Sequence, residues 1–195
     1  MSRFDLETFW KFEASEHLTV AKSTFRSCTV EFAQMLEICR RSVEDGGKIM
    51  FFGNGGSAAD AQHLATELSV RYKENRVPIP AIALTTDTSA ITAGGNDLGF
   101  DHIFSRQVDA LGKAGDVVIG ISTSGKSENV LEALKMAKEK RIATIGLTGK
   151  DGGHMHDFCD CLIVVPSNTT ARIQEMHITL GQMLCGALEQ KLKLV

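Results

Sequence analysis

The sequence predicts an α/β fold, a doubly wound five-stranded parallel sheet flanked by helices, from three observations. Five short, nearly all-apolar runs recur along the chain, at 48–52, 80–84, 116–121, 142–147 and 161–165. Segments of helical periodicity alternate with them. Two loops rich in glycine and serine stand directly after the first and third runs. Strands that are apolar throughout are buried on both faces, which is what a parallel sheet with helices on both sides requires.

Two amphipathic helices come first. Residues 6–20 place Leu6, Phe9, Trp10 and Leu18 near one face with Phe12 to the side, and residues 25–42 carry Val30, Phe32, Met35, Leu36 and Ile38 mostly at helical spacing. Asp45-Gly46-Gly47 stops the second helix. Strand 48–52 leads through Gly53-Asn54-Gly55-Gly56-Ser57 into a helix over 57–72. Strand 80–84 leads through Thr85–Ser89 to a short apolar helix ending at Gly94-Gly95. A helix near 101–112 precedes strand 116–121, and Ser122-Thr123-Ser124-Gly125-Lys126-Ser127 then opens a helix over 127–140. Strand 142–147 ends at Thr148–Gly153, strand 161–165 ends at Pro166, and a long helix covers 170–192. The chain reads as a single domain, 1–195, with residues 1–45 as a helical extension. The apolar sides of that extension need cover, and another subunit is a natural source of it.

Composition removes several classes of function. A hydrophobic fraction of 43%, a charged fraction of 23% and a net charge of −3 describe a water-soluble domain without the basic surface that nucleic acid demands. No apolar run approaches the ~20 residues needed to cross a bilayer. The opening Met1-Ser2-Arg3-Phe4-Asp5-Leu6-Glu7 is acidic and amphipathic, unlike a signal peptide. Five cysteines, an odd number without a C-x-x-C pair, point to reduced thiols in a cytoplasm. Cys159 and Cys161 would share one face of a strand, where core packing is favoured over metal binding.

Both loops sit where open parallel sheets bind ligands, outside the carboxyl ends of the strands. Glycines let backbone N–H groups approach an anion, and a helix N-terminus adds free donors and a favourable dipole. Neither loop is G-x-x-x-x-G-K-[ST] or G-x-G-x-x-G, so a nucleotide phosphate loop and a dinucleotide site are not indicated. Hydroxyls dominate, which suits a sugar phosphate.

On the helix after the first loop, His63 and Glu67 are four residues apart and share a face. A carboxylate beside a bound α-hydroxycarbonyl is the base needed to move a proton between adjacent carbons. The pair could equally hold a divalent metal, or be a solvated pair of helix neighbours. On the last helix Arg172, Gln174, Glu175 and His177 form a polar cluster, with Gln174 and His177 on one face. They either turn to the pocket or form an exposed first turn. Asn96-Asp97 reads as a turn by default, and His17, His102, His154 and His156 have no evident partner.

The following segments together resemble the sugar isomerase (SIS) domain family: Gly53-Asn-Gly-Gly-Ser57, His63-Leu-Ala-Thr-Glu67, Arg71-Tyr72, Glu74-Asn-Arg76, Gly95-Asn-Asp97, Phe104-Ser-Arg106, Ile121-Ser-Thr-Ser-Gly125, Leu147–Gly153 and Ala171-Arg-Ile-Gln-Glu175. More narrowly they resemble its phosphoheptose isomerase branch. That resemblance covers nearly the whole chain and is weakest over the first 45 residues. It implies interconversion of sedoheptulose 7-phosphate and D-glycero-D-manno-heptose 7-phosphate through an enediol, in heptose biosynthesis for lipopolysaccharide or related surface glycans. It implies that Asn54, Gly55, Gly56 and Ser57 line the pocket, that Asn96 and Asp97 contact the sugar, and that Ser122, Thr123, Ser124 and Ser127 hold the phosphate. Glu67 matches the catalytic carboxylate and also contacts substrate, as does Gln174. His63, Glu67 and Gln174 match zinc positions, one ion per subunit. The family implies a cytoplasmic homotetramer with active sites at subunit interfaces, and neither nucleic acid nor membrane as partner.

One position departs. Where the family has a histidine that serves as second acid/base and zinc ligand, this chain has Gln182. Glutamine does not titrate near neutral pH and is a weak ligand through its carbonyl. Gln182 is then a tolerated variation, an engineered replacement that slows turnover, or the mark of a non-catalytic paralogue. The last account has a model in a SIS-fold scaffold that binds the bacterial replication initiator protein. That scaffold lacks the carboxylate at position 67 and the second glycine of the first loop, both of which are intact here.

Overall fold

Five strands, β1 (Ile49–Gly53), β2 (Ala81–Ala83), β3 (Val117–Ile121), β4 (Ala143–Gly149) and β5 (Cys161–Val165), pair in parallel in the order β2-β1-β3-β4-β5. They come from a computed structural model that describes residues 4–195. The first three residues, part of the N-terminal stretch read above as unlike a signal peptide, lie outside that range. Every residue of β1 and β3 is buried, as their unbroken apolar sequences require. Side chains alternate between the two faces. Ile49, Phe51, Val117 and Ile119 join one core with α2 (Thr29–Glu44), α3 (Gly56–Ser69) and α7 (Thr170–Lys191). Met50, Phe52 and Val118 join the other, under α5 (Ser105–Leu111) and α6 (Glu128–Glu139).

The strand order reverses between β1 and β3: from β1 the chain steps outward to β2, and from β3 it steps the opposite way to β4 and β5. Helices therefore leave these two central strands on opposite faces, and a crevice opens outside their carboxyl ends, where such sheets bind ligands. The last residues of the two strands, Gly53 and Ile121, are register partners, so both loops start from one level.

Several boundaries differ from the sequence reading. The first helix, α1 (Leu6–Ser27), runs seven residues beyond 20, and only Cys28 separates it from α2. Thr24 lies buried within the added turns, its hydroxyl satisfied by donating to the Val20 carbonyl at 2.8 Å. β4 continues through Thr148 and Gly149, which pair with Val164 and Val165 of β5. Helix α4 (Thr88–Asp97) carries on through Gly94-Gly95, started by Asp87, whose carboxylate accepts the Ala90 N–H at 2.9 Å. Asn96 and Asp97 are thus its last turn and not a loop. A 3-10 turn at Phe100–His102 precedes α5, which is shorter than the helix read over 101–112.

The two N-terminal helices also have different fates. Met35 and Cys39 of α2 are fully buried against the sheet face, so α2 is a core layer. Helix α1 lies outside it and leaves Leu6, Phe9, Trp10, Phe12 and Leu18 exposed. Cys159 and Cys161 do not share a face, because β5 begins only at Cys161: Cys161 is in the α2 core and Cys159 packs against the other. Burial pushes their thiols up, to about 12 and about 11, as packed and unreactive cysteines. No described helix is long and apolar enough to cross a membrane.

Candidate active site

The first loop turns on Gly55, whose φ of 57° and ψ of −119° are open to glycine alone. The turn closes on itself: the Ser57, Ala58 and Ala59 N–H groups donate to the carbonyls of Asn54 and Gly55 at 3.0, 3.1 and 3.3 Å, while Gly56 opens α3. Asn54, at the carboxyl end of β1, makes a reciprocal amide pair with Asn129 in the first turn of α6: each side-chain nitrogen donates to the other's oxygen at 2.8 Å. Ser57 is buried beneath the loop.

The second loop holds its hydroxyls close together. Ser122 and Ser127 lie 2.9 Å apart at Oγ, and Ser124 Oγ accepts the Lys126 N–H at 3.2 Å. Thr123 is half-buried beside them. Lys126 reaches Asp151 at 3.6 Å. Ser127 is also the N-cap of α6, so hydroxyls, loop amides and a helix start share one small volume suited to a phosphate dianion.

The remaining candidates lie along α3 and α7, which run side by side in the same direction. Gln174 sits against Gly56, where a Cβ would fall 2.7 Å from its side-chain nitrogen. Two turns further, Gly181 lets Leu64 pack into α7, and the Gln182 side-chain nitrogen lies 2.7 Å from His63 Nε2. His63 Nε2 is in turn 3.1 Å from Glu67 Oε1. Gln182, His63 and Glu67 therefore form one cluster and Gln174 belongs to another. Eight residues of helix separate the two glutamines, about 12 Å along the axis. Glu67 is likewise about 16 Å along α3 from Gly56. The sequence spacing suggested a single pocket; in one chain the helix rise splits it.

Arg76 anchors the Glu67 end of α3. Its buried guanidinium donates to the carbonyls of Glu67 at 2.8 Å and Leu68 at 2.7 Å and pairs with Glu189 of α7 at 2.8 Å. This clamp satisfies helix-end carbonyls that would otherwise lack partners. Sequence reasoning saw Arg76 only as part of a motif, and no spacing rule links it to Glu67.

Other members of the predicted clusters go elsewhere. His177 does not face the pocket with Gln174: it is fully buried with Nε2 donating to the Thr148 carbonyl at 3.0 Å. Burial holds it well below the ordinary histidine range, at about 4, so it stays neutral. Arg172 and Glu175 turn to α1, where Arg172 meets the Glu13 carbonyl at 2.8 Å and Glu175 meets His17 Nδ1 at 2.7 Å. His17 thus has a partner that the sequence did not reveal. Asn96 donates to Asp97 at 2.7 Å, and Asp97 borders a cavity of about 510 Å3 between α4 and α5, away from both loops.

The residues assembled here are those of a known family. The SIS domain model matches residues 16–149. Phosphoheptose isomerase of Rhodospirillum rubrum is 56% identical over 165 residues, covering 85% of this chain and 88% of the relative. Phosphoheptose isomerase 1 of Campylobacter jejuni serotype O:2 is 58% identical over 160 residues, covering 82% and 86%. The chain belongs to the phosphoheptose isomerase family of SIS-domain proteins. Among solved structures, the phosphoheptose isomerase of Neisseria gonorrhoeae superposes with a TM-score of 0.90 at 44% identity, covering 95% of this chain and all of that one. The Francisella tularensis phosphoheptose isomerase gives 0.92 at 36% identity, covering 96% of this chain and all of its own. These relatives carry the isomerase name over most of their length, and the scaffold reading gains no support from them.

Proposed function

We propose that this chain interconverts sedoheptulose 7-phosphate and D-glycero-D-manno-heptose 7-phosphate, as an enzyme of heptose biosynthesis for surface glycans. The observation that carries the proposal is the carboxylate of Glu67, fixed beside His63 on the helix that begins at the glycine loop, in a chain of this isomerase family. Glu67 takes the proton from C1 of the ketose and returns it to C2 of the enediol, while a proton moves from O1 to O2. Loop Ser122–Ser127 holds the phosphate, and Asn54, Gly55, Gly56 and Ser57 line the sugar. Asn96, Asp97 and Gln174 contact it in the assembled site. Gln182 holds no proton to exchange near neutral pH, so one of two proton carriers is missing and turnover is slow.

The separation of Glu67 from the first loop supports an active site shared between subunits, as does the exposed apolar row on α1. A homotetramer in the cytoplasm is the assembly we propose. Zinc would be held by His63 and Glu67, with the amide oxygen of Gln182 as a weak further donor; Gln174, two turns away in the same chain, would join them only from another subunit. Only the first two are good zinc ligands, and among the described residues no three His, Cys, Asp or Glu side chains converge. The ion when bound would polarise the substrate's carbonyl; its affinity is low.

The test is an isomerisation assay with sedoheptulose 7-phosphate, with and without added zinc, alongside sedimentation of the pure protein. Slow conversion by a tetramer supports the reading. Complete inactivity in both conditions overturns it.

A further inference from the structure

Asn129 is two residues beyond the phosphate loop, 2% exposed, and none of the chemistry above uses it. Among the described residues its only side-chain hydrogen-bond partner is Asn54, through the two reciprocal bonds of 2.8 Å. A carboxamide has two N–H donors and an oxygen with two lone pairs. The pair consumes one donor and one acceptor on each residue. Asn129 is sealed, so only Asn54, half-buried at the crevice, has free capacity toward a ligand: one N–H and one lone pair, which diverge from opposite sides of the carboxamide because the reciprocal bonds use the edge between them. Each can meet one sugar hydroxyl, which both donates and accepts.

The pair also spans the reversal of strand order. Asn54 follows β1 and Asn129 opens α6 after β3, so two flat amides bonded edge to edge tie the sugar-facing loop to the helix that carries the phosphate loop. A single bond would leave a hinge, whereas two parallel bonds fix both separation and orientation. We infer that Asn129 is a positioning residue: through Asn54 it presents one donor and one acceptor to separate hydroxyls of the sugar at a set distance from the phosphate loop. This rests on the isomerase reading above.

The test compares wild type with Asn129→Leu, which keeps the branched outline at larger volume and removes both bonds, and Asn129→Asp, which keeps shape and removes the donor. For each variant, kcat, KM for sedoheptulose 7-phosphate, binding of that sugar phosphate and binding of inorganic phosphate are measured, with thermal melting beside them. A positioning role lowers kcat/KM and sugar-phosphate affinity roughly tenfold or more in Asn129→Leu, and less in Asn129→Asp, while phosphate affinity stays within about twofold. Asn54→Ala then adds little to Asn129→Leu, because both remove one unit. A lowered melting point with unchanged kcat/KM, or equal losses for sugar phosphate and inorganic phosphate, overturns the inference. If Asn129→Leu does not fold, Asn129→Asp decides by the same ratio. Failure of the isomerase reading is recognised separately, by inactivity of wild type. In that case a wild type that binds sugar phosphate no better than inorganic phosphate overturns the Asn129 role too, and retained discrimination lost in Asn129→Asp supports it.

Discussion

Gln182 places its side-chain nitrogen 2.7 Å from Nε2 of His63, the same ring nitrogen that lies 3.1 Å from the Glu67 carboxylate. Two neighbours thus compete for one imidazole nitrogen, which carries either a proton or a lone pair. With the proton turned to Glu67, the carboxamide of Gln182 meets the ring through its oxygen; with the lone pair free, through its N–H. In both arrangements Gln182 orients His63 and supplies no exchangeable charge.

Replacing Gln182 by histidine adds a group that titrates near neutral pH at that point. Gln182→His should raise kcat by roughly the 10²–10⁴-fold of one general acid/base and tighten zinc binding. Steady-state kinetics and zinc titration check both. A fast wild type that the substitution leaves unchanged removes position 182 from the chemistry.

Glu67→Gln keeps the volume and the helix clamp at Arg76 while removing the base. Turnover should fall ~10²-fold or more with the melting temperature nearly unchanged. Solvent deuterium exchange into C1 of unreacted substrate should stop as well, and persistence of that exchange would assign the base elsewhere.

Ser124→Ala removes a hydroxyl from the second loop and leaves its backbone donors. KM should rise several-fold with kcat largely kept, since the phosphate is bound alike in ground and transition states. Inorganic phosphate should compete with substrate. Absence of competition at high concentration would place the phosphate at another site.

Burial lowers the pKa of His177 to about 4, whereas the unfolded imidazole titrates near 6.5. Between those values the unfolded chain binds a proton that the native chain refuses. The stability held above pH 6.5 is therefore lost progressively as pH falls to about 4, by roughly 3 kcal/mol. His177→Gln retains a donor for the Thr148 carbonyl but cannot titrate, so its acid limb should be flatter. Urea midpoints at pH 7 and pH 4.5 read the difference, and a gap between variant and wild type that is constant with pH would refute it.

The sheet was legible because burial on both faces writes itself as unbroken apolar runs, and the loops because their glycines and hydroxyls are contiguous. The pairing of Asn54 with Asn129 was not, since it joins positions 75 residues apart through a strand order that no local pattern specifies. Helical phase correctly united His63 with Glu67, yet the same rule misplaced His177. Phase tells which residues share a stripe, and only packing tells whether the stripe meets solvent or, as for His177, the end of β4. Rise along the axis mattered as much: Gln174 and Gln182 are similar in kind but meet α3 at opposite ends of two turns. His17 found Glu175 across 158 residues, a contact set by how α1 docks.

The second loop is backed by a neighbour that holds no candidate ligand. A Cβ at Gly125 would lie 2.0 Å from the Gly152 carbonyl oxygen, and one at Gly153 would lie 2.5 Å from the Gly125 oxygen, with positive φ at all three residues. Neither strand of this back-to-back contact can accept a side chain unless the other withdraws. The freedom of the second loop to drift during evolution is thereby governed from a turn some two dozen residues downstream. A saturation screen for activity would mark Gly125 and Gly153 as intolerant as any ligand, although the constraint they carry is one of shape and not of chemistry.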